Sequence, residues 1–172
     1  MSKRDLKKYL ETLDKKQVSE QLLELYDKFA DVKTYYDFVF NPKEDKLVGE
    51  AKAKISNEYF PIKTKRAKLR RSTAQKYIKH FLTLGVEPHA LADLMLFNIE
   101  TAQKYSAKRE MRYSSFYKSM ANSFEQATNY IAGTGILPDF KQRLRDISAE
   151  AARQRWENND EFQRLIDATD WL

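Results

Sequence analysis

The sequence predicts an all-α fold, and three observations carry that prediction. Apolar residues recur three and four positions apart along almost the whole chain, the spacing of one helical face. Gly and Pro number only four each in 172 residues, too few to supply the turns of a β architecture. Leu, Glu, Lys, Ala and Gln are plentiful, and these residues lose little freedom in a helix. A chain of this length makes one domain, or a compact domain with an N-terminal arm over residues 1–41. On folding it can bury about 70% of the surface its unfolded form exposes, so it needs no disulfide or metal staple.

The elements follow in order. Ser2 caps a first helix whose apolar stripe is Leu6, Tyr9, Leu10 and Leu13. A second helix carries Val18, Leu22, Leu25, Tyr26 and Phe29, and only Asp14 to Gln17 separate the two stripes, which predicts a tight hairpin. Tyr35-Tyr36-Asp37-Phe38-Val39-Phe40 is stopped by Asn41-Pro42, because proline disfavours helix at the residue before it. Leu47, Val48, Ala51 and Ile55 mark a fourth helix, ended by Pro61 soon after Tyr59-Phe60. Ser72-Thr73-Ala74-Gln75 reads as a capping box opening a helix with Tyr77, Ile78, Phe81, Leu82 and Leu84 on its apolar face.

Gly85 supplies a left-handed residue after that helix, and Pro88 pre-sets the start of the next. This next helix is apolar on most sides, with Leu91, Ala92, Leu94, Met95, Leu96, Phe97, Ile99 and Ala102. A helix without a wide polar face is surrounded by neighbours, so it belongs at the centre of the fold. Beyond it, Tyr113, Phe116, Met120, Phe124, Ala127 and Ile131 form one stripe, broken by Gly133-Thr134-Gly135. Leu137, Phe140, Leu144, Ile147 and Ala151 form another. A short last helix holds Phe162, Leu165 and Ile166, with Trp156 and Trp171 near its ends. The sum is an irregular bundle of eight or nine helices, mostly antiparallel to their neighbours because the loops are short.

Composition also excludes. Without cysteine there are no disulfides, thiolate metal sites or cysteine nucleophiles. The start, Met1-Ser2-Lys3-Arg4-Asp5-Leu6, lacks the apolar run of a signal peptide, and the longest apolar stretch, Leu94 to Phe97, is far too short to span a membrane. The expected address is the cytoplasm.

Several stretches occur in a familiar order: Met1-Ser2-Lys3-Arg4-Asp5-Leu6-Lys7-Lys8-Tyr9-Leu10, Tyr35-Tyr36-Asp37-Phe38, Ala74-Gln75-Lys76-Tyr77-Ile78-Lys79-His80-Phe81 and Leu84-Gly85-Val86-Glu87-Pro88. Together they resemble an uncharacterised family of short bacterial proteins, of the domain-of-unknown-function kind, over most of the chain. The resemblance implies a compact helical bacterial cytoplasmic protein. Its motifs are helix-packing patterns and imply no activity, substrate or site residue.

The net charge of +6 is local. Between Pro61 and Val86 there are eight basic residues and no acidic one; taking those eight from 31 leaves 23 basic residues against 25 acidic. Lys63, Lys65, Arg66, Lys68, Arg70 and Arg71 lie within nine residues, in a basic loop over 61–71, and Lys76 and Lys79 follow on the polar face of the next helix. Adjacent cations that release counterions are what a phosphate backbone requires, and the arginine forks match phosphate oxygens. The plainer reading is a solvated loop balanced by acidic residues elsewhere, with Glu44, Asp45, Glu157, Asp160 and Glu161 as candidates.

Other constellations carry less. Tyr35, Tyr36, Phe38 and Phe40 offer stacking platforms for unpaired bases, but aromatics at helical spacing read first as core, as do Tyr59-Phe60 and the Tyr113, Phe116, Phe124 stripe. His80, His89 and Asp93 flank the Gly85 to Pro88 turn, yet their spacing matches no metal motif. No glycine-rich phosphate loop, nucleophile elbow or zinc-protease motif occurs, so neither a catalytic residue nor a cofactor is expected.

The leading functional expectation is a non-catalytic module that holds an anionic partner, RNA or DNA, through the eight basic residues from Lys63 to Lys79. The alternative is a protein-interaction or scaffold protein whose basic loop docks on an acidic protein surface.

Overall fold

The computed structural model describes residues 2–64, 66–109 and 111–169. Among the described residues there are nine α-helices and no strand: α1 (Lys3–Glu11), α2 (Lys15–Lys28), α3 (Ala30–Phe40), α4 (Glu44–Tyr59), α5 (Arg71–Leu84), α6 (Pro88–Ser106), α7 (Ser114–Gly133), α8 (Leu137–Arg153) and α9 (Asn159–Thr169). The chain divides into two compact units, Met1–Lys43 and Glu44–Leu172.

In the first unit, capping boxes open both of the first two helices. Ser2 accepts from the Asp5 amide while Asp5 accepts from the Ser2 amide, and Asp14 and Gln17 do the same for α2. Tyr9 Oη, accepting from Gln21 Nε2 at 2.7 Å, ties α1 to α2. Phe29, expected within the second helix, instead takes an extended conformation (φ −119°, ψ 114°) and separates α2 from α3. The two helices pack together, and Tyr26 Oη donates to Asp37 at 2.7 Å.

No residue of α1, α2 or α3 is buried. This corrects the reading of Tyr35, Tyr36, Phe38 and Phe40 as core. Tyr36 and Phe38 are half-buried, Tyr35 is exposed, and Phe40 retains 82% of its surface. The rings meet one another instead, Tyr35 edge-on to Tyr36 at 5.3 Å and Tyr36 stacked on Phe40 at 6.1 Å. Three helices in about forty residues are too few to enclose a core of their own.

The second unit is built around α6, as its all-round apolar character predicts. It packs against α4, α5, α7 and α8, and Leu91, Leu94, Leu96, Ile99 and Ala102 are essentially inaccessible. Glu87 caps it by accepting from the Ala90 amide, with Pro88 at the first position. Before it, Gly85 takes φ +70°, and the amides of Gly85 and Val86 donate to the carbonyls of Leu82 and Phe81, which is the Schellman closure of α5. The same closure ends α8 on a non-glycine residue: Arg155 has φ +55°, and Trp156 N–H donates to Ala151 at 3.0 Å. Of the aromatics expected inside, Tyr59, Phe116, Phe124 and Phe162 are buried, and so is Trp156. Phe60 and Tyr113 are not, at 42% and 74% exposure, because each stands at a helix end next to a loop. Trp171 lies outside the described residues.

The Ser72 capping box does not form. Helix α5 begins at Arg71 and has no side-chain cap of its own. Gln75 turns to α7, donating to Gln126 at 2.8 Å, and a carboxylate from α4 serves the first turn of α5 instead.

A half-buried ion network links α4, α6 and α8. Asp93 pairs with Lys52 and Arg143, and Arg143 grips Glu100 through Nε and Nη2 at 2.6 and 3.0 Å. Burial raises the Asp93 pKa, but the two cations hold it below the usual carboxylate range.

Candidate functional site

The basic loop hangs on one residue, Glu58, in the last turn of α4. Its side chain is almost fully buried, at 6% exposure, and every polar atom of it is engaged. Oε1 accepts from Arg70 Nη2 at 2.8 Å and from Thr73 Oγ1 at 3.1 Å; Oε2 accepts from Arg70 Nε at 3.0 Å and from the Arg70 amide at 3.4 Å. The Glu58 carbonyl takes the amides of Lys68 and Leu69 at 2.9 and 3.2 Å. Leu69 reaches that carbonyl by adopting φ +54°, in the left-handed region. The chain from Pro61 to Arg70 is thereby closed on Glu58. The Arg70 hydrogen bonds hold the Glu58 carboxyl below its usual range against the opposing effect of burial.

The eight predicted residues separate into groups. Lys63, Arg66 and Lys68 are exposed on the loop, and Lys76 and Lys79 are exposed on α5, opposite the buried Ala74, Ile78 and Phe81. None of these five makes an ion pair among the described residues. Arg70 is held by Glu58, and Arg71 is half-buried, its Nε donating to Ser123 of α7 at 3.1 Å. Lys65 lies outside the described residues. Among the described residues, the acid that meets the segment is Glu58; Glu44, Asp45, Glu157, Asp160 and Glu161 make no ion pair with it.

Sequence reading missed three cations that the fold brings to the loop. Lys54 of α4 lines a depression of about 390 Å³ with Lys63, Lys68 and Arg70. Lys108 and Arg109, just beyond the end of α6, line a second groove that shares Pro61 and Thr64 with the first. The two basic stretches stand some forty residues apart in the chain, so only packing of α4 against α6 reveals that they meet.

The histidines lead elsewhere. His89 Nδ1 lies 2.8 Å from Glu87 Oε1 and its Nε2 2.8 Å from Asp139 Oδ2, so both ring nitrogens face carboxylates. Asp93 is engaged by Lys52 and Arg143, and no group of three His, Cys, Asp or Glu side chains among the described residues is arranged to hold a metal ion. The Asp139 contact first, then Glu87, raises the His89 pKa above its ordinary 6.5. Raised in the folded state, His89 contributes stability below the ordinary value and loses it as pH rises through the raised one. By NMR, its titration midpoint is expected above 6.5 and should fall back toward that value in Asp139→Asn; an unchanged midpoint would show that the contact does not form in solution.

Fold and site together define an all-α protein with a carboxylate-anchored basic loop, and none of its described helices is long and apolar enough to cross a membrane. The chain belongs to the DUF6155 family of unknown function, whose model matches residues 1–170. No curated protein and no solved structure matches it.

Proposed function

We propose that this chain is a non-catalytic binding module that holds RNA or DNA on the basic loop and the polar face of α5. The observation that supports it is the set of five exposed cations, Lys63, Arg66, Lys68, Lys76 and Lys79, without an ion pair among the described residues. Glu58 already holds the Lys68 to Arg70 end of the loop, which lowers the entropy lost there on binding. Cations of this kind bind by releasing counterions from phosphates, with little base specificity. A cytoplasmic setting belongs to the same proposal and suits a chain without cysteine.

The test is binding to labelled single- and double-stranded RNA and DNA across a salt series. If all five cations reach phosphates, log affinity for duplex DNA falls with log salt at a slope of about −4 to −5. Lys63→Glu, Arg66→Glu and Lys68→Glu together should bring the slope to about −2 or abolish binding. Arg70 and Arg71 are left intact because they hold the loop and α5 in place. Equal affinity of variant and wild type would remove nucleic acid from this surface.

A protein partner is the second reading, with the basic loop docking on an acidic surface. One observation favours it: α1 to α3 and the Phe29 junction between α2 and α3 expose Leu6, Leu22, Leu23, Phe29 and Phe40, and the three helices bury nothing.

A further inference from the structure

We infer that the nucleic acid taken by this surface is single-stranded, with an unpaired base stacked on Phe60 in the groove between the basic loop and the end of α6. This inference rests on the reading above and names its substrate class.

The groove encloses about 400 Å³, within the range of small-ligand sites. Phe60 and Tyr105 line it together with Thr64 and Ala67 from the loop and Lys108 and Arg109 from beyond the end of α6. Tyr59 and Phe60 are neighbours with opposite fates. Tyr59 turns inward, 2% exposed, against Tyr105, whereas Phe60, on the last helical hydrogen bond to Ser56 before Pro61, keeps 42% of its surface in solvent. The Phe60 ring meets Tyr105 edge-on, at 5.8 Å and 67°, in the geometry aromatic pairs prefer. An exposed phenyl ring fixed in this way, in a groove lined by cations, is a stacking platform.

The charged side chains described in this groove are cationic. Arg109 places its guanidinium 5.2 Å from the Tyr105 ring centre, and Nη1 donates to Tyr105 Oη at 3.4 Å. Lys108 lines the same groove, and among the described residues no acidic side chain does. The neighbouring groove, on the other side of Phe60 and Lys108, includes Glu100 and Glu150 and suits an anion less well. Thr64 and Pro61 line both the Phe60 groove and the depression holding Lys54, Lys63 and Lys68. A strand crossing the loop at Thr64 therefore meets cations on both sides and an aromatic ring on one.

Duplex does not fit this arrangement. Its bases present only their edges, while an aromatic ring is covered face to face only by a base that has left the stack. In a single strand every base has a free face, and stacking on an aromatic side chain is tolerant of sequence.

The test measures uridine or thymidine homopolymers against a duplex of equal length, at fixed salt and across a salt series. Phe60→Leu keeps an apolar side chain but removes the aromatic plane, and Phe60→Trp restores one. Phe60→Leu is expected to weaken single-strand binding by about 5- to 100-fold while duplex binding and the salt slope stay the same. Phe60→Trp is expected to recover the affinity and to show indole quenching on binding. Unchanged single-strand affinity in Phe60→Leu, or equal affinity of the wild type for both forms, overturns the stacking inference. If the loop charge reversal still abolishes binding in that case, the nucleic-acid reading stands without it. Absence of binding to any nucleic acid by the wild type overturns both.

Discussion

Trp156→Ala is expected to lower the unfolding free energy by about 3–5 kcal/mol, the range for deleting a buried aromatic side chain without full collapse of the space it leaves. Trp156 is 1% exposed and stands where α7, α8 and α9 meet. Its ring contacts Phe116 at 5.7 Å, Tyr117 at 5.6 Å and Phe162 at 5.6 Å, all edge-on, and Nε1 donates to Gln154 Oε1 at 3.1 Å. The backbone delivers the ring there through the left-handed Arg155 and the bond from Trp156 N–H to Ala151. Truncation therefore removes packing from several elements at once and leaves the Gln154 oxygen with one donor fewer. Equilibrium urea unfolding checks it: the midpoint should fall with the slope unchanged. A loss below about 1 kcal/mol would mean that the three helices do not close on this side chain.

Glu58→Ala is expected to cost about 2 kcal/mol and to loosen the basic loop. One buried carboxylate accepts four hydrogen bonds, but Arg70 is more than half exposed and can turn to water, which keeps the figure at the lower end for a charged hydrogen-bonding group. The folded Glu58 pKa lies below its ordinary 4.5, so this contribution is present above 4.5 and disappears as pH falls through the depressed value. Wild type and variant should thus differ in stability at neutral pH and converge in acid. Amide hydrogen exchange gives the local readout. Lys68 and Leu69, which donate to the Glu58 carbonyl, should lose protection selectively at neutral pH, while the α6 amides change only with global stability. Equal protection of Lys68 and Leu69 in both proteins would show that the side chain does not anchor the loop.

What the sequence determined by itself was whatever depends on a few consecutive residues. Ser2, Gly85, Pro88 and the Gly133 to Gly135 break mark helix ends because capping and left-handed turns are chemistry within one helical turn. The central place of α6 was equally legible, since a helix without a wide polar face is surrounded by neighbours. The same local reasoning misled where a distant group competed. Ser72 and Gln75 have the right spacing for a capping box, but the helix begins at Arg71, Glu58 from another helix takes the Arg70 amide, and Gln126 draws Gln75 away. Likewise Tyr35 to Phe40 have helical spacing, yet spacing only aligns side chains and cannot supply what would cover them.

Tertiary structure alone decided how the charges are distributed. Counting residues shows eight cations and no anion from Pro61 to Val86, but only packing shows that Arg70 is bound to Glu58 and Arg71 to Ser123. It also brings Lys54, Lys108 and Arg109 beside the loop and leaves Phe60 half in solvent among them. The reason is physical. Helix formation is settled by backbone hydrogen bonds four residues apart, whereas the neighbours of a side chain at a helix end depend on how whole helices pack, across tens of residues.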